Sequence, residues 1–153
     1  MSKIDRLVAE RVMNVKPQVS QQVSNDGGKS SAFGNDDWSS RWTDIHAWLK
    51  EKQDAGMMLD YKVVDWHRYP RYSTDIAAAW EVVEHLRKKT KDDGTRKYLV
   101  SIVDTEAAVE CVIYEINMYD VAWADHESTQ MAICIAALRL NNVPESEIQE
   151  AMR

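Results

Sequence analysis

Residues 129–140, TQMAICIAALRL, are apolar on nearly every helical face, and no other stretch of the chain constrains the fold as strongly. A helix of this kind has no side to give to water, so it must lie under several layers or against another subunit. The chain has 153 residues, enough to bury roughly two thirds of its unfolded surface in one core. It is therefore read as a single domain, 1–153.

The other elements follow from spacing. Ile4, Leu7, Val8 and Val12 recur at helical intervals in residues 3–13, predicting a short amphipathic helix that needs something to dock on. Residues 17–35 turn to Gln, Ser, Asn and Gly, which reads as a flexible loop. Residues 37–54 read as an inserted, tryptophan-rich helix with Trp38, Trp42, Ile45 and Leu49 on one face and Gly56 past its end. Residues 58–66 alternate as a strand that Pro70 ends. A helix over 74–91 is predicted to bury Ile76, Ala79, Trp80, Val83 and Leu86 and to close on Arg87, Lys88, Lys89 and Lys91. Strands at 98–104, 109–118 and 119–124 have short connections and are expected to be antiparallel neighbours. Pro144 and Glu145 open a short terminal helix. The fold class is α/β (α+β): an α/β/α sandwich with a central, mostly antiparallel sheet flanked by helices.

The net charge of −6 argues against non-specific nucleic-acid binding, which draws on a basic face. Cys111 and Cys134 both sit in apolar runs and read as core thiols in a reducing compartment. The first 13 residues hold no apolar signal core, and no segment has the length of a membrane span; a soluble, cytoplasmic protein is expected.

The strongest chemical signal is WHRYPRYSTDIAAAW, residues 66–80. Ser73, Thr74 and Asp75 are helix N-cap types, and a helix start offers unpaired N–H groups and a positive dipole end. Arg68, Arg71 and His67 stand just upstream, suited to phosphate, with Trp66, Tyr69 and Tyr72 suited to stacking on a base. The plainer reading is that the aromatics plug the sheet end and the arginines pair with carboxylates. A second loop, with Trp123, Asp125, His126, Glu127, Ser128 and Thr129, precedes the apolar helix; it would share a cleft with the first if both helix starts face one sheet edge. Its plainer reading is capping by Ser128 or Thr129 with Trp123 in the core. Trp38, Trp42 and Trp48 would clamp a planar ligand or, more simply, form a core or subunit contact.

Catalytic signatures are missing. No HExxH, CxxC or clustered histidine spacing supports a metal, and no catalytic residue or cofactor is assigned. Gly27-Gly28-Lys29-Ser30 resembles the end of a phosphate loop, but Val23 stands where the lead glycine belongs.

Three segments, DRLVAERVM (5–13), YSTDIAAAWEVVEHL (72–86) and STQMAICIAALRL (128–140), resemble the phage ABA sandwich domain family, small proteins of phages and prophages mostly from Bacillus and relatives. Residues 14–60 depart from the short connection that the family implies. The resemblance implies an α/β/α sandwich acting inside the host cell and carries no catalytic residues. Two functions follow as expectations. One is a non-enzymatic protein that binds a small nucleotide and sequesters a cyclic nucleotide signal of host antiviral defence. The other is an accessory protein that binds a host or phage protein through its apolar helices. Self-association is expected under both, from the apolar helix and the six tryptophans.

Overall fold

The apolar segment is a helix, Thr129–Leu140, and every residue from Ala132 to Leu138 is no more than 4% exposed. The computed structural model describes residues 2–24, 31–34, 45–116 and 120–153, and their side chains outside 18–22, 31–34, 45, 64–67 and 120. The chain divides into two units: Met1–Lys16 with Tyr69–Arg153, and Pro17–Arg68. The fold is mixed α+β, with antiparallel sheets and helices packed against them, as the order of elements predicts and consistent with a sandwich.

The first unit begins with helix α1 (Lys3–Leu7), which widens into a π-helical segment (Val8–Met13) and ends on Asn14 in the left-handed conformation. Ile4, Leu7, Val8 and Val12 are buried, as their spacing predicts. In chain order, β1 (Gln18–Ser24), β2 (Ser31–Gly34), α2 (Ile45–Asp54) and β3 (Lys62–Arg68) follow in the second unit. The first unit resumes with α3 (Ile76–Arg87), β4 (Tyr98–Asp104), β5 (Val109–Glu115), β6 (Asp120–His126), α4 (Thr129–Leu140) and α5 (Glu145–Met152). The order β4-β5-β6 is antiparallel throughout, as expected from the short connections.

Alternation sorts this sheet into two faces. Tyr98, Val100, Ile102, Cys111, Ile113, Ala122 and Ala124 point to the core that contains α3, α4 and the N-terminal helix. Leu99, Val103, Val121 and Trp123 are exposed on the opposite face. α4 packs on β5, β6, α3, α5 and the π-helical segment, so its lack of a polar side is met by layers within its own unit rather than by another subunit.

Two of the expected details are corrected. Residues 17–35 are not simply a loop, because β1 pairs with β3 over seven residues, from Gln18↔Arg68 to Ser24↔Lys62, and with β2 on its other side. Gln and Ser form the same backbone ladder as Val, and the partner that stabilises it lies far along the chain. On α3 the buried stripe is Ala78, Ala79, Val82, Val83 and Leu86, while Ile76 and Trp80 are exposed. The core therefore faces the alanines, whose small side chains allow close approach to α4.

In the second unit, Trp48 packs with Val23, Leu49, Met58, Tyr61 and Val63. Gly56 has φ +78°, and Met57 N–H bonds the Lys52 carbonyl at 2.8 Å, a glycine-ended helix stop. β3 begins at Lys62 instead of residue 58 because Gln53 Nε2 donates to the carbonyls of Met58, Leu59 and Tyr61 and holds them in a loop. Trp38 and Trp42 lie outside the described residues.

Candidate functional site

The loop before α3 is held by carboxylates from the N-terminal helix. Ser73 N–H donates to Asp5 Oδ1 at 2.7 Å, with both residues buried. Tyr69 Oη donates to Glu10 Oε1 at 2.8 Å, and Arg6 Nε donates to the same oxygen at 3.0 Å. The Tyr69 bond, with Arg6, keeps the Glu10 carboxyl below its ordinary range, and the same bond raises the Tyr69 phenol. Tyr72 is 1% exposed and its phenol is raised by burial. A ring in that position has no open face on which a base could stack. Asp75 caps α3 by accepting Ala77 N–H at 2.9 Å. Of the six positions from 69 to 74, Arg71, Thr74 and Pro70 are exposed. Trp66, His67 and Arg68 belong to β3 in the second unit; Arg68 is exposed, and the side chains of Trp66 and His67 lie outside the described residues.

The second loop is a cap. Ser128 Oγ accepts Met131 N–H at 3.4 Å and donates to Gln130 Oε1 at 2.8 Å, while His126 Nδ1 accepts Ser128 N–H at 3.0 Å. That last bond puts the proton of the neutral ring on Nε2. Asp125 is exposed and Thr129 half-buried. Trp123 is not in the core: it is 53% exposed, with the Arg139 guanidinium 5.9 Å from its ring centroid and Arg139 Nη1 donating to its carbonyl at 2.8 Å.

α4 follows β6 at the edge where β4 ends, since His126 pairs with Val109 and Val109 with Asp104. The end of α3 lies at the opposite edge, where Lys97 N–H bonds the Lys89 carbonyl and Lys91 Nζ bonds the Ile116 carbonyl. At the edge where α4 begins stand Asp125 and Glu127, both exposed, whose charge opposes an anion.

A groove of about 360 Å³ runs along the outer side of α3, lined by Met13, Ala77, Trp80, Glu81, Glu84, His85 and Lys88. Burial lowers the His85 pKa, with Lys89 and Lys88 acting the same way and a bond to the Val12 backbone acting against them. Trp80, His85, Glu81, Glu84 and Lys88 thus bring an indole, an imidazole, two carboxylates and an ammonium group to one groove. Sequence reasoning missed Asp5, Glu10 and this groove. Asp5 stands between Ile4 and Leu7 on a helix with a buried face, and an acid there was the available signal. Among the described residues no cluster of three or more His, Cys, Asp or Glu is placed to hold a metal, and no helix is long and apolar enough to cross a membrane.

No curated protein and no solved structure matches the chain. The sequence model of the Phage ABA sandwich domain matches residues 6–138, which takes in β1 to β6 and the helices from the π-helical segment through most of α4. With the quoted helices at either end of that match and the antiparallel sheet between them, the chain belongs to the phage ABA sandwich domain family.

Proposed function

We propose that this protein works by binding rather than by catalysis, and that its ligand is another protein, host or phage, met in the cytoplasm of the infected cell. The observation that carries this is the outer side of α3, where Trp80 stays exposed in a groove that Met13 and Ala77 also line, with Ile76 exposed on the same helix, while Ala78 and Ala79 are buried. An exposed tryptophan seated in a groove is the usual form of an interface anchor. Glu81 and Glu84 on the rim favour a partner with a basic residue beside its apolar side chain; Glu84 already pairs with Arg87, leaving Glu81 as the more available of the two. The apolar helix α4 cannot serve as this surface because it is buried.

A small nucleotide is the second reading, favoured by exposed Arg71 and Thr74 just ahead of the start of α3. On that reading the protein would sequester a cyclic nucleotide signal of host defence. One experiment separates the two: affinity-tagged wild type, Trp80→Ala and Arg71→Ala proteins are recovered from infected cells and, in parallel, screened by thermal shift against mono-, di- and cyclic nucleotides. A protein partner lost with Trp80→Ala and kept with Arg71→Ala is the expected result. A nucleotide at a hundred times its dissociation constant adds about 2.7 kcal/mol of stability. A shift of that size, abolished by Arg71→Ala and unchanged by Trp80→Ala, would overturn the protein reading.

A further inference from the structure

The two outer strands of the β4-β5-β6 sheet, β4 and β6, present their free sides differently. Thr105 N–H bonds the Ala108 carbonyl and Ile116 N–H the Lys97 carbonyl, so in the alternating ladder Lys97, Leu99, Ser101 and Val103 bond to β5. Tyr98, Val100, Ile102 and Asp104 therefore turn their N–H and C=O groups away from it, and among the described residues no other strand pairs with them. By the same alternation β6 turns the backbone groups of Val121, Trp123 and Asp125 away from β5. There the Trp123 carbonyl accepts from Arg139 Nη1 at 2.8 Å, and the register with β5 shifts at Ile113/Tyr114. A bound guanidinium and an irregular register both blunt a strand against further pairing. β4 has neither. Its seven residues, YLVSIVD, run in unbroken register with no proline, glycine or lysine, and their one charge stands at the end. The core-facing side chains are also less covered here: Tyr98, Val100 and Ile102 are half-buried, whereas Cys111, Ile113, Ala122 and Ala124 are buried.

Bare backbone groups of this kind are met by another extended strand, and the sequence of β4 is suited to its own copy. It is nearly a chemical palindrome about Ser101: Val100 matches Ile102, Leu99 matches Val103, and exposed Arg96 before the strand answers Asp104 and Glu106 at its far end. From this self-complementarity we infer that β4 pairs antiparallel with β4 of a second copy about a two-fold axis at Ser101, joining two three-stranded sheets into one. Every outward group then has a partner, Val100 against Ile102 and Tyr98 against Asp104 of the second copy. On the outer face Leu99 of each copy lies beside Val103 of the other, and the two Ser101 residues face each other as a pair without mutual hydrogen bonds. A contact made along one strand buries less than the ~800 Å² per partner of a standard interface, so the dimer is weak and depends on concentration. It is separate from the α3 groove and does not depend on the function proposed for it.

The test is sedimentation of the full-length chain over a range of concentrations, joined to cysteine cross-linking. Wild type should pass from monomer to dimer as its concentration rises. Ser101→Lys and Ser101→Glu each set like charges face to face across the axis and should raise the dissociation constant at least about tenfold, while an equal mixture of the two should associate at least as well as wild type. Val100→Pro removes an N–H that β5 does not use and should weaken the dimer by a similar factor. Ser101→Cys should form a disulfide-linked dimer in air, since directly facing residues of this kind have Cα atoms ~4.5 Å apart. Val121→Cys, on β6, should not. Circular dichroism melts of each variant confirm that it is folded. A wild type that stays monomeric up to about 1 mM, folded Ser101 variants that dimerise as wild type does, or cross-linking through position 121 and not 101 would each overturn the inference. Should Val100→Pro not fold, the Ser101 changes, which lie on the outer face, decide the matter in the same way.

Discussion

Replacing Asp5 by alanine tests whether the N-terminal helix holds the loop before α3. Asp5 is 4% exposed and Ser73 6% exposed, and the 2.7 Å bond between them joins positions 68 residues apart in sequence. Alanine leaves the Ser73 N–H buried without an acceptor, at a cost of ~1–3 kcal/mol. The vacated carboxylate volume adds roughly 1 kcal/mol, since a packed interior collapses only in part. The sum, ~2–4 kcal/mol, corresponds in a chain of this size to a fall in melting temperature of roughly 4–16 °C. Asparagine keeps an acceptor oxygen and nearly the same shape, and should cost on the order of 1 kcal/mol by trading a charge-assisted bond for a neutral one. The assay is thermal unfolding by circular dichroism, with amide hydrogen exchange to follow Ser73 itself. The Ser73 amide should exchange much faster in Asp5→Ala than in Asp5→Asn. An alanine variant that melts within about 2 °C of wild type, or an asparagine variant no better than alanine, would refute the argument.

Three further outcomes follow from the same structure. Glu145, bound by Arg139 at 2.8 and 3.0 Å and lowered to a pKa of about 2, contributes stability that is present above its ordinary carboxyl range and lost as the pH falls toward 2. Because the pair is about half exposed on the glutamate side, Glu145→Gln should cost only ~0.5–1 kcal/mol at pH 7 and nothing measurable near pH 2, read from urea unfolding at the two pH values. Cys111 and Cys134 are buried, and burial pushes the Cys111 thiol up to about 12 and the Cys134 thiol higher still. Neither should react with a thiol reagent at pH 8 until denaturant is added; rapid reaction of the native protein would contradict the packing. Gly56→Ala has open space for a methyl group but a φ of +78°, so it should cost ~1 kcal/mol through backbone strain alone, measured by the same unfolding assay.

The parts of the fold that were legible in the sequence are those whose signals are local. α4 was legible in its apolar run, its cap in Ser128, and the three antiparallel strands in short alternating runs with short connections. What stayed hidden depends on partners distant in sequence. β1 is written in glutamine and serine and exists by pairing with β3, some forty positions on. On α3, helical periodicity admits more than one apolar stripe, and only the position of α4 decides that Ala78 and Val82 go inward while Ile76 and Trp80 stay out. The candidate site was legible as a set of residue types around residues 66–75, yet their roles were not. Tyr72 and Ser73 serve the core and the Asp5 contact, and nothing near them in sequence names Asp5 as the partner.

The first unit is discontinuous: its N-terminal helix is made before everything from Pro17 to Arg68, and its remaining elements after. During synthesis, α1 and the π-helical segment leave the ribosome with no α3 or α4 to cover Ile4, Leu7 and Val8, and they wait while the second unit's strands, which need only residues up to Arg68, are completed. Closing so long a separation is slow relative to local pairing. The strands of the second unit thus need nothing made after Arg68, whereas the Asp5–Ser73 bond cannot form until the chain has been made as far as Ser73.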